Sequence, residues 1–131
     1  YFETIKRSLN VNGVAAIQGI TIRDDLFERY RSSEDFIQKY IFPGGFLPSL
    51  GFMKSLIKKN NLNLLKVNSY PDDYAKTLAT WRENFLKVWS NIAPLGFDET
   101  FKRMWEFYLS YCEAGFKSKN IDLIQFSMSN K

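Results

Sequence analysis

The sequence of 131 residues contains no histidine, a single cysteine and no long apolar segment. Without histidine, a Ser–His triad, a histidine general base and a histidine-ligated zinc site are excluded. Because Cys112 has no second cysteine to pair with, an internal disulfide is excluded and a reducing compartment is favoured. No apolar run approaches the ~18 residues of a membrane-spanning helix. We therefore predict a cytoplasmic protein without a transmembrane segment.

A glycine-rich phosphate-binding loop is also missing. Gly13 stands alone, and the turn Pro43-Gly44-Gly45 follows no predicted strand, so neither the dinucleotide fingerprint nor the Walker motif is present. A nucleotide-type cofactor would have to bind outside these residues. Helical periodicity begins at the first residues, with Phe2, Ile5 and Leu9 in register and no capping residue ahead. This pattern predicts a piece of a longer protein, cut at its N-terminal side.

Apolar residues are abundant, at 45%, and 17% of the chain is aromatic. This composition predicts one folded domain over residues 1–131, with a thick core or an apolar ligand pocket. The net charge of +4 is a mild bias. We predict no nucleic-acid partner, because the aromatic residues follow core periodicity rather than alternating with basic ones.

Three short apolar segments, 14–22, 62–70 and 121–129, are predicted strands. The first resembles a strand that is buried on both faces, as in parallel sheets. Between the first two we predict helices capped by Asp24 and by Ser33, and a third that begins at Pro48.

Two long helices precede the last strand. Asp72 or Asp73 is predicted to cap the first, which runs to about Asn91, and Asp98 to cap the second, which ends near 117–120. The alternation of helices and strands is typical of an α/β protein with too few strands for a full doubly wound sheet. It resembles the trailing half of such a sheet.

Several side chains have both a functional and a structural interpretation. Lys54, Lys58, Lys59 and Lys66 occur with no acid among them, which is compatible with a phospholipid-facing patch, although a solvated helix face is the more common outcome. Cys112 fits a buried, inert thiol better than a reactive one.

The motif Tyr40-Ile-Phe-Pro-Gly-Gly45 followed by Leu47-Pro48-Ser49 resembles the signature of cyclopropane fatty acyl phospholipid synthases and the related mycolic acid methyltransferases. Further similar stretches follow in the family's order over essentially the whole chain. They are 73–78 with Trp81, 101–104, 108–116 and 121–125.

The resemblance implies the C-terminal half of a class I S-adenosylmethionine-dependent methyltransferase sheet. The three predicted strands would be the fifth, the sixth and the antiparallel last strand, with part of 23–60 in a helical insertion that covers the acyl pocket. The cofactor-binding half would precede residue 1. The implied activity is transfer of a methylene or methyl group to the double bond of an unsaturated phospholipid acyl chain, with peripheral membrane contact on the cytoplasmic side.

The resemblance also implies a bound bicarbonate that accepts a proton from the reacting acyl chain. Tyr74 matches the family's tyrosine at this anion site, Ile20 matches a residue that supplies a backbone amide, and Cys112 matches a cysteine near the site. The family's histidine falls on Gln18, which can donate a hydrogen bond but carries no charge. The alternative interpretation is a small lipid-binding or interaction module without catalysis, and the isolated piece is expected to be inactive.

Overall fold

The computed structural model describes residues 1–130. Three strands, β1 (Val14–Ile22), β2 (Leu62–Ser69) and β3 (Ile121–Asn130), form one sheet in the order β1-β3-β2. β3 is antiparallel to both neighbours, so β1 and β2 run in the same direction on either side of it. The α/β class, the positions of the three strands and the antiparallel last strand are confirmed.

Six α-helices surround the sheet. They are α1 (Phe2–Ser8), α2 (Asp24–Arg31), α3 (Leu50–Lys59), α4 (Pro71–Lys87), α5 (Trp89–Ile92) and α6 (Glu99–Lys117). A π-helical turn spans Ile37–Ile41, and a 3-10 turn spans Ala93–Leu95. Within residues 1–130, no helix combines the length and the apolar character needed to cross a bilayer.

Each face of the sheet has its own core. Helices α1 and α3 pack against one face, where Met53 and Ile57 meet Ile124, Phe126 and Met128. Helices α4 and α6 pack against the other face through a cluster of buried residues that contacts Ile20 and Leu123. That cluster comprises Ala75, Leu78, Leu109 and Phe116. Since successive side chains of a strand point to opposite faces, β3 supplies both cores from alternating positions.

The expectation that β1 is buried on both faces is wrong. Exposed and half-buried positions alternate from Val14 to Gln18, and the strand is fully buried only at Thr21 and Ile22. The helices of the α4–α6 face contact β1 at Ile20, so the earlier even-numbered positions stay open. The apolar run 14–17 therefore belongs to a strand segment whose side chains are packed on only one face of the sheet.

Two of the predicted caps have other roles. Asp24 lies inside α2, and its Oδ1 accepts a hydrogen bond from the Gly51 backbone N–H at 2.9 Å, so it supplements the Ser49 cap of α3. A Cβ on Gly51 would stand 2.6 Å from that oxygen, which explains the glycine. Ser33 donates to the Arg29 carbonyl, and the turn after it is capped by Asp35.

Of the two long helices, α4 differs from the prediction at both ends, and α6 agrees with it. Neither Asp72 nor Asp73 caps α4, which begins at Pro71 with Tyr70 as its N-cap and ends at Lys87 rather than near 91. Proline suits the first helical position because its missing N–H would have no intrahelical partner there. The cap of α6 is confirmed, since Asp98 Oδ1 accepts from the Phe101 N–H at 2.8 Å.

Candidate active site

A cavity of about 530 Å³ opens beside the carboxyl end of β1. Its deepest wall is apolar and includes Leu78 and Phe116, each about 1% exposed, together with Ile20 of β1. Helices α2, α4 and α6 and the connection between α2 and α3 supply the other walls. Four tyrosines line it: Tyr30, Tyr74, Tyr108 and Tyr111. The volume lies within the range of small-molecule and lipid pockets.

Tyr74 stands in the first turn of α4, directly after β2 ends. Its ring packs edge-on against Phe116, with ring centroids 4.9 Å apart, and against Trp81 at 6.1 Å. Within residues 1–130 no side-chain hydrogen bond involves its hydroxyl. This hydroxyl is therefore available to a ligand, close to a helix N-terminus that favours negative charge.

Tyr108 and Cys112 lie one turn apart on α6 and face the same cavity. Burial, followed by the neighbouring Cys112 and Tyr74, raises the pKa of Tyr108 to about 12. Burial, followed by the charge of Asp35, raises the pKa of the Cys112 thiol to about 11. Both groups are protonated at neutral pH, which supports the interpretation of Cys112 as an unreactive thiol.

Reciprocal hydrogen bonds hold the segment between α2 and α3 against the cavity. Asp35 Oδ1 accepts from the Gln38 N–H at 2.8 Å, and Gln38 Oε1 accepts from the Asp35 N–H at 2.9 Å. The Gln38 amide also donates to the Gly45 carbonyl at 3.0 Å, and Leu47 N–H donates to the Tyr30 hydroxyl at 3.2 Å. Asp35 and Gln38 were not predicted from the sequence, although Asp followed three positions later by Gln has the spacing of a helix capping box.

The predicted site residues separate into two groups. Tyr74, Ile20 and Cys112 line the cavity. Gln18 lines a shallower polar depression of about 320 Å³, where its Oε1 accepts from Gln125 Nε2 at 2.9 Å. Gln18 shares a sheet face with Ile20, but the α4–α6 pair covers that face at Ile20 and leaves Gln18 exposed.

The four lysines do not form one surface. Lys54, Lys58 and Lys59 are exposed on α3, which packs on the sheet face opposite α4 and α6. Lys66 lines the polar depression on the other face. Only the three α3 lysines can act together, as the exposed side of a helix whose Met53 and Ile57 are buried.

An ion pair with a buried carboxylate joins the two long helices. Glu113 is 7% exposed; Arg82 Nη2 donates to its Oε2 at 2.9 Å, and Lys117 binds its other oxygen. Arg82 also donates to the Ser110 hydroxyl at 3.0 Å. A buried charge needs such partners, so this cluster fixes α4 against α6.

Comparison with known proteins identifies the fold and the family. Residues 1–126 match the family described as mycolic acid cyclopropane synthetase. The chain is 40% identical over 129 residues to the tuberculostearic acid methyltransferase of Mycobacterium tuberculosis, covering 98% of this chain and 30% of that protein. It is 32% identical over 132 residues to the cyclopropane-fatty-acyl-phospholipid synthase of Escherichia coli K12, with 98% and 32% covered.

Solved structures of cyclopropane synthases have the same fold as this chain. The mycolic acid cyclopropane synthase CmaA1, complexed with SAH and CTAB, superposes with a TM-score of 0.85 at 27% identity, over 97% of this chain and 47% of that one. The cyclopropane synthase MmaA2 of Mycobacterium tuberculosis superposes with a TM-score of 0.84 at 24% identity over the same shares.

These observations define the chain as part of an α/β methyltransferase of the class I type, with an apolar cavity at the sheet edge. The chain belongs to the mycolic acid cyclopropane synthetase family. It spans about a third of the length of the curated relatives and corresponds to their C-terminal part.

The family is S-adenosylmethionine-dependent. The sequence has no glycine-rich turn between a strand and a helix.

Proposed function

We propose that the protein containing this chain transfers a methylene or methyl group from S-adenosylmethionine to the double bond of an unsaturated phospholipid acyl chain. The observation that carries this proposal is the apolar cavity of about 530 Å³, lined by four tyrosines and open beside the carboxyl end of β1. Membership of the cyclopropane synthetase family supports the reaction type.

The lining suits the chemistry of an acyl chain that becomes transiently positive. Leu78, Phe116 and Ile121 exclude water from the deep wall. Tyrosine rings present electron-rich faces that stabilise a nearby cation without quenching it. Within the residues described, Arg29 is the only cation of the lining, and it is exposed rather than part of the buried wall. In the proposal these residues hold the chain and keep the reacting carbons dry.

The bicarbonate site is part of the same proposal, and we expect its residues to contribute unequally to anion binding. The free Tyr74 hydroxyl can donate to an anion, and Ile20 lines the same cavity. Gln18 keeps its amide hydrogens for donation, since only its oxygen is held by Gln125. Because Gln18 lies on the adjoining depression, we expect Tyr74 to matter most among the anion-binding side chains of this chain.

We also propose that the protein works at the cytoplasmic surface of the membrane. Its substrate in the proposal is an esterified acyl chain, which resides in a bilayer. The exposed α3 lysines offer a basic surface that can approach anionic lipid.

The test uses the full-length protein with S-adenosylmethionine labelled in its methyl group and vesicles of a monounsaturated phospholipid. We expect label in the acyl chain and a product that has gained one carbon and two hydrogens. A saturated phospholipid of equal chain length is the control and should receive no label. No transfer to the unsaturated lipid would overturn the proposal.

The alternative, a lipid-binding module without chemistry, predicts a different result. Such a protein would bind unsaturated and saturated lipid alike and transfer nothing. A separate experiment tests the isolated 131-residue piece. Calorimetry of that piece should show no saturable binding of S-adenosylmethionine. Micromolar binding to that piece would place the cofactor site within these residues, contrary to the proposal.

A further inference from the structure

A single carboxylate lines the cavity within the described residues. It belongs to Asp35, which is half-buried in the connection between α2 and α3. Among residues 1–130, no lysine or arginine nitrogen lies within 4.0 Å of its oxygens. Arg29, the other charged residue of the lining, is exposed, so water and salt screen its charge. Asp35 therefore gives the cavity a negative charge that no ion pair neutralises.

The carboxylate of Asp35 is held in a defined position. The hydrogen bonds exchanged with Gln38 fix the Asp35 side chain and its backbone at the same time. The next residue, Phe36, packs edge-on against Phe107 of α6, with ring centroids 4.7 Å apart, and against Tyr111 at 6.4 Å. These contacts keep Asp35 beside the α6 wall of the cavity, and a group that acts through its charge requires such a fixed position.

Two side chains of that wall respond to the charge of Asp35. Burial, followed by the charge of Asp35, raises the pKa of Tyr111. The same two causes raise the pKa of Cys112. A nearby anion disfavours a second negative charge and favours a positive one at the same place. Asp35 would therefore stabilise a cation that lies in the cavity beside Tyr111 and Cys112.

We propose that Asp35 stabilises the positive charge that develops on the acyl chain during group transfer. This inference rests on the proposed function and adds a residue to it. When the acyl double bond takes up a methyl group, one of its two carbons is left positively charged until a proton leaves. A fixed opposite charge stabilises such a developing charge strongly in a site that excludes water.

The role of Asp35 differs from that of the anion site proposed at Tyr74. Bicarbonate at that site would accept the proton, whereas Asp35 takes up no proton and acts only through its charge. The unreacted acyl chain is uncharged, so Asp35 contributes little to its binding. Asp35 therefore raises the rate constant of the reaction rather than the affinity for substrate.

The test compares the binding of two phospholipid analogues to the full-length protein, without S-adenosylmethionine. In one analogue, a secondary amine that is protonated at neutral pH stands at the position of the acyl double bond. In the other, an uncharged thioether sulfur occupies the same position. Both are dispersed at low mole fraction in the same non-ionic detergent. We expect the amine to bind about 10-fold more tightly, the effect of one charge interaction in a partly buried site. Equal affinities, or tighter binding of the thioether, would overturn the inference.

Two variants assign the preference for the charged analogue. Asp35→Asn keeps an oxygen acceptor for the Gln38 N–H but loses the charge, and should reduce the preference to about twofold or less. Its affinity for the thioether should be unchanged, which also shows that the variant is folded. Glu34→Gln is the matched control, because Glu34 is exposed and does not line the cavity. A preference that survives Asp35→Asn, or that falls as far in Glu34→Gln, would contradict the assignment.

Turnover gives a second measurement. With the unsaturated phospholipid, Asp35→Asn should lower kcat by about 10-fold and leave KM within about twofold, because the positive charge is present only in the transition state. A raised KM at unchanged kcat would assign Asp35 to substrate binding and overturn the inference. If the full-length protein transfers nothing, the proposed function fails, and the analogue binding still decides whether Asp35 favours a cation in the cavity.

Discussion

The two faces of the sheet are built for different purposes. On one face, α1 and α3 close over Ile124, Phe126 and Met128, which are at most 3% exposed. On the other face, α4 and α6 close over Leu123 and Ile20 but leave a cavity of about 530 Å³. The first face is filled with side chains, and the second is only partly filled.

The difference shows where stability and ligand binding reside. A filled face gains free energy from buried apolar area and close packing. A cavity gives up part of that gain, because its lining lacks contact partners until a ligand enters. The cavity face has a compensating feature in the buried Arg82–Glu113 pair, which fixes α4 against α6 without filling the space.

The largest expected effect comes from breaking the filled face. Phe126→Ala removes a side chain that is 3% exposed, and should lower the free energy of unfolding of the full-length protein by about 3–5 kcal/mol. Denaturant unfolding measures the change. Phe97→Ala, at an exposed position, is the control and should cost about 1 kcal/mol or less. If the two losses are equal, the filled face does not carry the stability.

A second comparison concerns the outer surfaces of the two faces. Replacing Lys54, Lys58 and Lys59 together by Glu should weaken partitioning to anionic vesicles at low salt by at least about 3 kcal/mol, roughly 1 kcal/mol for each lost lysine charge, and the added glutamates are repelled as well. Co-sedimentation measures the partitioning. The matched control replaces Lys76, Lys87 and Arg103 by Glu, with the same charge change on α4 and α6. Equal effects from the two triple variants would show that total charge, and not the α3 face, governs binding.

The cavity face is tested by Tyr74→Phe in the full-length enzyme. Loss of one hydroxyl donor to a buried anion should lower kcat by about 10- to 100-fold, equivalent to about 1.5–3 kcal/mol, while KM changes little. Varying bicarbonate should alter the rate of the wild type more than that of the variant.

Two further substitutions, one control and one at the neighbouring position Gln18, accompany the Tyr74 test. Tyr70→Phe is the control, because Tyr70 does not line the cavity, and it should retain the wild-type rate. Gln18→His should be tolerated and is expected to add a titration near neutral pH. Unchanged turnover in Tyr74→Phe would reduce Tyr74 to a packing residue at the start of α4.

The smallest effect is expected at Cys112. With its pKa at about 11, the thiol should react with iodoacetamide slowly at pH 8, at a rate that rises toward pH 11 rather than near 9. Because folding raises this pKa, its contribution to stability is complete below about pH 9 and is lost as the pH rises through about 11. Peptide mapping isolates the Cys112 adduct, and Asp35→Asn should lower the midpoint. Rapid labelling at pH 8 would contradict the assignment.

Sequence patterns determined most of the secondary structure, because the signals involved are local. The three strands and the cap of α6 by Asp98 depend on residues within a few positions of one another. The family motifs placed Tyr74, Ile20 and Cys112 near one site, and these residues do line one cavity. The capping role of Asp35 could also have been predicted from a local pattern, since its partner Gln38 is only three residues away.

Only the tertiary structure decided what depends on contacts between distant residues. Asp24 accepts a hydrogen bond from the first turn of α3 because α2 and α3 come together across 27 positions, and no local pattern records that partner. Gln18 and Ile20 share a strand face, yet α4 and α6 cover one and not the other, because the helices pack at one end of β1. The sequence by itself thus determined the elements and the family. Packing determined which face was filled and where the cavity lay.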